Sequence, residues 1–191
     1  ITDKDIELHL RGQIHLASYL INKENKSKYI VLEILQKDIK FIETILQNLK
    51  IDKLYEYSSY NSIYVWIFFE KEIESKKVRE FAVYLLKKAN ISAKIYPTKE
   101  FVTNGNLDEA IELPLQLNYR NKNTTVFFDF NSNSIYSNQW KVLQEVKKLS
   151  EETILKYISF EKVNISNLMF ENIDFPSFTL KIKLYDYVYI P

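Results

Sequence analysis

A carboxylate on a buried strand is the first residue of this sequence that could do chemistry. Residues 29–35 read YIVLEIL, a β-branched and apolar run that predicts a strand, and Glu33 is its one charged residue. A carboxylate could help to hold a divalent metal, because its charge offsets that of the cation. Because an unpaired buried charge is very costly, Glu33 must face a cleft or join an ion pair. The sequence leaves both interpretations open.

The small numbers of histidines and glycines limit the kinds of metal and phosphate site that the chain could form. His9 and His15 have no third ligand nearby, and there is no cysteine, so thiolate metal sites and disulfides are excluded. We expect both histidines to be surface or hydrogen-bonded residues. Gly12 and Gly105 are too few to build a Walker or dinucleotide phosphate loop, which needs several glycines in one turn.

Aromatic and basic residues offer a second chemistry, the binding of nucleic acid. Tyr55, Tyr57 and Tyr60 could stack on bases, although packing within a strand explains them equally well. Arg120 and Lys122 could contact phosphates, and the alternative is a solvated loop. Since 26 basic residues oppose 25 acidic ones, any site for a polyanion must be local.

The sequence predicts a mixture of helices and strands, and these elements must position the residues above. The patterns predict helices over 3–11, 37–49, 75–90 and 138–149, and strands over 14–21, 29–35, 54–57, 63–70, 91–96, 111–117 and 124–130. The polar segment 22–28 is expected to close a hairpin between the first two strands, and Ser75 to cap the third helix. Residues 97–110 should form a loop, and alternating apolar residues predict a strand over 178–184.

Three stretches resemble the archaeo-eukaryotic primase-polymerase family, in the branch of TOTE-type conflict systems and CRISPR-associated primase-polymerases. They are ITDKDIELHLRGQI at 1–14, YNSIYVWIFFEKEI at 60–73, and YPTKEFVTNGNLDEAIELPLQL at 96–117, which continues into VFFDFNSNSIYSNQW at 126–140. The resemblance implies an α+β fold with an RRM-like core sheet, flanking helices and an extra αβ unit. It covers about residues 1–150, which we take as the domain. Residues 151–191 are then a C-terminal extension, packed on it or leading to further domains.

Family members add nucleotides with two divalent metals held by acidic residues. The resemblance puts the two strand carboxylates at Glu33 and Leu35, a third at Glu100, and a triphosphate-binding histidine at Tyr64. One ligand is therefore missing, two are a methylene longer than aspartate, and a phenol cannot become cationic as imidazole can. These four positions are expected to be vestigial, with no intact catalytic residue.

Nucleotide or nucleic-acid contacts are assigned by the same resemblance to Ser59, Asn61, Tyr64, Arg120 and Lys122. Where the family has a Gly-x-Gly-Asn sequence, the chain carries Asp108 and Glu109, whose charge repels a triphosphate. An alternative metal site would use Glu33 and Glu100 with one of these two acids. We expect no cofactor; Mg²⁺ or Mn²⁺ enters only if that alternative holds.

The sequence as a whole favours a degenerate, non-catalytic primase-like domain of a larger prokaryotic protein that binds nucleic acid or serves as an assembly platform. Its expected partners are nucleic acid, other domains of the same polypeptide, and a reverse transcriptase, a helicase or a CRISPR integration complex. The alternatives are an active primase-polymerase with non-standard ligands and a purely protein-binding module. We expect a cytoplasmic location without membrane contact, and the initial Ile1 suggests a processed or excised piece.

Overall fold

The computed structural model describes residues 2–58, 62–102 and 110–168, with side chains described as far as 159. The elements in chain order are α1 (Asp3–Leu10), β1 (Ala17–Tyr19), β2 (Lys26–Leu35), a 3-10 turn (Gln36–Asp38), α2 (Ile39–Asn48), β3 (Leu54–Tyr57), β4 (Ser62–Glu74), α3 (Ser75–Ala89), β5 (Lys94–Tyr96), β6 (Ala110–Glu112), α4 (Leu117–Arg120), β7 (Val126–Asp129), β8 (Ser134–Ile135), α5 (Gln139–Glu145) and α6 (Glu151–Leu168).

A central antiparallel sheet joins most of these strands. Its order is β5-β2-β4-β3-β7-β8, with the two longest strands, β2 and β4, next to each other. The remaining two described strands, β1 and β6, pair with each other and form a separate small sheet. The α+β class implied by the resemblance is confirmed.

The expected hairpin between 14–21 and 29–35 is wrong. Strand β1 pairs with β6, with Ala17 opposite Glu112, and has no pairing with β2. The reason is that β2 already has β4 along one edge and β5 along the other at Val31–Glu33. The residue pattern of one segment cannot show which edge of a neighbouring strand is free to pair with it.

One face of the central sheet packs on α2, α3 and the first turns of α6. Alternate residues of β2, namely Ile30, Leu32 and Ile34, point into this layer and are fully buried. Ile154 of α6 lies in the same core, and the Tyr157 ring stacks on Phe81 of α3. The helical extension thus packs on the sheet's helical layer, while the boundary at 150 stays a prediction.

The opposite face holds the candidate site. Val31, Trp66 and Phe127 lie in a second core with residues of the β1–β6 sheet and α5. Farther along the same face, toward the end of β2 and the start of β4, Glu33 and Tyr64 are only partly buried. Among the described residues, this uneven cover leaves one end of the sheet face partly exposed.

Two local expectations are corrected. Ser75 does not cap α3: Glu74 occupies the N-cap position, and the Ser75 hydroxyl donates to the carbonyl of Lys99. The strand expected over 111–117 ends at Glu112, because Pro114 has no N–H and Leu115 adopts a φ of 72°. The strand expected over 178–184 lies outside the described residues. No helix in the described part is long and apolar enough to cross a membrane.

Candidate functional site

Strand register brings together three of the positions that the resemblance predicts to be vestigial. Glu33 of β2 lies opposite Tyr64 of β4, and Leu35 lies opposite Ser62. Because residues two apart on a strand share a face, Glu33 and Leu35 point to the same side as Tyr64. The row continues to Glu56 of β3, which lies opposite Tyr64 on its other side.

Two hydroxyl groups donate hydrogen bonds to the Glu33 carboxylate. The Ser62 hydroxyl donates to Glu33 Oε1 at 3.0 Å, and the Tyr96 hydroxyl donates to Oε2 at 3.0 Å. Since the single Ser62 proton is directed at Glu33, the Ser58 hydroxyl donates to Ser62 Oγ at 2.8 Å. Glu33 forms no ion pair with any residue of the described ranges. It is a partly buried carboxylate held by hydrogen bonds.

Tyr64 is a neutral phenol in an acidic setting. Burial raises its pKa far above the ordinary value, and the neighbouring Glu33, Tyr96, Glu56 and Glu112 raise it further. Its ring meets Tyr96 edge to face at 6.3 Å. The ring can therefore donate a hydrogen bond or contact a planar ligand, and it carries no charge at neutral pH.

Glu56 is a functional candidate that the sequence patterns missed. Its carboxylate is 1% exposed, and the Trp66 indole N–H donates to Oε2 at 2.6 Å. Burial raises the pKa of Glu56 to about 8, with Glu112 adding to the rise and the Trp66 hydrogen bond opposing it. The signal was present in the strand sequence LYEY, where Glu56 alternates with two tyrosines and must therefore point to the other face.

Leu35 and Glu100 do not complete a metal site with Glu33. Leu35 is 55% exposed and has no donor atom. Hydrogen bonds on both sides of Glu100 show where it lies. The Lys99 carbonyl accepts from the Ser75 hydroxyl, and the Val102 N–H donates to the Asn25 side chain. Asn25 immediately precedes β2, and Glu33 lies seven residues beyond the first residue of that strand, or roughly 20 Å away.

Within the described ranges, no three acidic or histidine side chains come together in a way that could hold a metal ion. The alternative ligands Asp108 and Glu109 lie outside those ranges, as do Ser59 and Asn61. The two basic candidates are placed: Arg120 ends α4, and Lys122 is exposed in the turn that follows. The next residues, Asn123 and Thr124, border a cavity together with Ser58 and Ser62.

The family-like sequences LPLQ and NQW have structural roles. Gln116 is buried, and its side-chain oxygen caps α4 by accepting from the backbone N–H of Asn118 and Tyr119. Gln139 accepts from the N–H of Phe127 and donates to the carbonyls of Phe127 and Tyr136. The Gln139 amide attaches α5 to β7, and the Gln116 amide closes the first turn of α4.

The histidines are hydrogen-bonded, as expected. His9 Nδ1 accepts from Leu16 N–H, and Nε2 lies 3.1 Å from the Pro114 carbonyl, which requires the neutral Nε2–H tautomer. His15 is exposed and lies edge-on to the Tyr119 ring at 5.4 Å.

Two of the three tyrosines proposed for stacking serve the fold. Tyr55 is buried and donates to Glu43, which also pairs with Lys53 at 2.9 Å. Tyr57 stacks on Phe128 with ring centroids 4.0 Å apart, and is only partly buried. Tyr60 lies outside the described residues.

The comparisons agree with the geometry. The family model described as the archaeo-eukaryotic primase domain of TOTE conflict systems matches residues 1–157 of the 191-residue chain. The match includes the strand of Glu33, the Tyr64 hairpin and the segments that contain Gln116 and Gln139. Among curated proteins, none matches the sequence. Because the family model covers most of the chain, this protein belongs to the archaeo-eukaryotic primase domain family of TOTE conflict systems.

Proposed function

We propose that this is a degenerate primase domain that does not add nucleotides and instead binds nucleic acid or serves as an assembly platform. The proposal depends on one observation, the side chains at positions 33 and 35 on one face of β2. At the place where two strand carboxylates would hold metals, Glu33 is bonded to two hydroxyls and Leu35 is an alkyl group. The surroundings of Glu33 in the described ranges do not fit a two-metal centre.

Charge supports the same conclusion. Glu33 and Glu112 raise the pKa of Tyr64, so the field around this phenol is negative even where Glu56 holds its proton. Without metals to offset it, that field repels a triphosphate. Uncharged parts of a nucleic acid, its bases and sugars, are not repelled in this way, and exposed basic residues such as Lys122 can contact phosphates at the margin.

An active enzyme with non-standard ligands is the second candidate, favoured by the one retained acidic position at Glu33. The test is extension of a labelled primer on a template with Mg²⁺ and with Mn²⁺, alongside primer synthesis without a primer. We expect no product above background from the protein or from Glu33→Ala. Product that the wild type forms and Glu33→Ala does not would overturn the non-catalytic proposal.

Binding of nucleic acid is tested by fluorescence anisotropy with labelled single-stranded DNA and RNA over a range of salt concentrations. The double variant Arg120→Ala/Lys122→Ala should bind more weakly. Its affinity should also fall less steeply with salt, by the amount expected for the loss of about two phosphate contacts. Lys148→Ala/Lys156→Ala is the matched control, because it removes the same charge from the helical side. Both control residues are exposed.

A module that binds only proteins is the remaining alternative. It predicts no binding of either polynucleotide at low salt, where electrostatic contacts are strongest. That result would exclude the nucleic-acid role and leave assembly with other domains, a reverse transcriptase, a helicase or an integration complex. Co-purification with the proteins encoded beside it then identifies the partner.

A further inference from the structure

A cavity opens where four strands of the central sheet meet, next to Glu33. It measures about 290 Å³, and its described lining consists of Gln36, Tyr57, Ser58, Ser62, Ile63, Asn123 and Thr124. These residues lie at or just beyond the ends of β2 and β3, or at or just before the starts of β4 and β7. The Ser62 hydroxyl forms the wall between the cavity and the Glu33 carboxylate.

The described lining carries no charge, and it combines amide and hydroxyl groups with the side chains of Tyr57 and Ile63. Gln36 and Asn123 are exposed, and each side chain ends in an amide with donor and acceptor atoms. Asn and Gln side chains match the edges of nucleobases, as their paired contacts with adenine illustrate. A phosphate group would find no cation among these residues, so the lining suits the uncharged part of a ligand.

Tyr57 gives the cavity a fixed aromatic wall. Phe128 covers one side of its ring, and the Tyr57 hydroxyl donates to Asn133 Oδ1 at 2.8 Å. The ring is therefore held before any ligand arrives, which lowers the cost of ordering it. Stacking on such a ring tolerates any base, because every base has a π-face.

An unsatisfied buried hydroxyl lies beside the same wall. Thr125 follows the lining residue Thr124, and its N–H donates to the Tyr57 carbonyl at 2.6 Å. Its side-chain Oγ1 is buried and has no hydrogen-bond partner among the residues that the structure describes. Buried polar groups are almost always paired, so this one marks a place where a bound water or ligand atom is needed.

We propose that this cavity binds one nucleobase, with the attached phosphates directed outward past Lys122. The volume favours this size of ligand, since it lies at the low end of the roughly 300–1,000 Å³ typical of small-molecule pockets. The inference rests on the proposed nucleic-acid role and names the part of the ligand that the cavity takes. The base can belong to a strand or to a free nucleoside.

The test compares a labelled single-stranded oligonucleotide with one of the same length in which every base is replaced by an abasic sugar. We expect the protein to bind the intact strand roughly tenfold more tightly, because the abasic strand keeps only phosphate contacts. Gln36→Ala/Asn123→Gly should bind both strands equally, with an unchanged salt dependence. Glycine suits position 123, whose φ is 58°.

Gln13→Ala/Asn48→Ala is the matched control, because it removes two exposed amides outside the cavity and should keep the tenfold preference. Competition by free nucleosides distinguishes a nucleoside site from one that needs a strand. If the wild type binds both strands equally, or if the cavity variant keeps the preference, the base site is refuted while nucleic-acid binding stands. If neither strand binds, the base site and the nucleic-acid role both fail, and only the assembly role is left.

Discussion

Substitution of Glu56 by glutamine should remove a fall in stability between pH 6 and pH 8. Burial raises the pKa of Glu56 from its ordinary 4.5 to about 8 in the folded protein. Between these values the folded state holds a proton that the unfolded state has released. Stability therefore falls as the pH rises through this window, and this contribution is constant below 4.5 and above 8.

The expected size follows from the width of the window. Each unit of pKa shift is worth about 1.4 kcal/mol, so this carboxyl lowers the free energy of unfolding by roughly 5 kcal/mol over the whole window. Between pH 6 and pH 8 alone the loss is about 2 kcal/mol. Glutamine has nearly the same shape, can accept the Trp66 N–H bond, and does not ionise.

Urea unfolding at pH 6, 7 and 8 measures the effect in both proteins. We expect the wild type to lose about 2 kcal/mol across this range through Glu56 and Glu56→Gln to lose little. Carboxyls whose pKa is lowered, such as Asp5 and Asp129, are ionised throughout and add no slope. The exposed Glu145→Gln is the control and should follow the wild type. Parallel pH profiles for the wild type and Glu56→Gln would show that Glu56 is not a buried, protonated acid.

Three further substitutions test the scaffold by urea unfolding at fixed pH. Gln139→Ala should cost roughly 2–3 kcal/mol, because the Phe127 N–H loses its acceptor, and a cost below 1 would contradict this role. Gly12→Ala should cost about 1–2 kcal/mol, since φ is 75° and the new Cβ would lie 2.9 Å from Asn118 Oδ1. Adding Asn118→Ser should recover only the part of that cost due to the contact. Ile154→Ala should cost about 2–4 kcal/mol if α6 is part of the core, and an unchanged midpoint would refute that packing.

Local periodicity made most elements predictable. Helix α3 illustrates this: Val78, Phe81, Ala82 and Leu85 recur three or four residues apart in the sequence, and all are buried. The helical pattern over 37–49 likewise corresponds to α2, which begins at Ile39 after a 3-10 turn. Such patterns are set by residues three or four apart, so the sequence contains them directly.

Pairing between distant segments could not be predicted in this way. The β1–β6 sheet joins residues about 90 positions apart, and no local pattern identifies β6 as the partner of β1. Glu56 was missed for a related reason. Its depth depends on the β1–β6 sheet and Trp66 covering that face, and a single strand sequence carries no record of what covers it.

The residues that match the family and those that depart from it differ in what their loss would cost the fold. Gln116, Gln139 and Trp66 each pair a buried or backbone polar group, so replacing any of them leaves a group unsatisfied. Leu35 is exposed, and Glu33 and Tyr64 are only partly buried, so aspartate or histidine at these positions would be needed for chemistry more than for folding. Under the proposed loss of catalysis, a chain that must still fold would keep the first set and lose the second. The resemblance implies this same division, which is why we propose that the domain binds rather than catalyses.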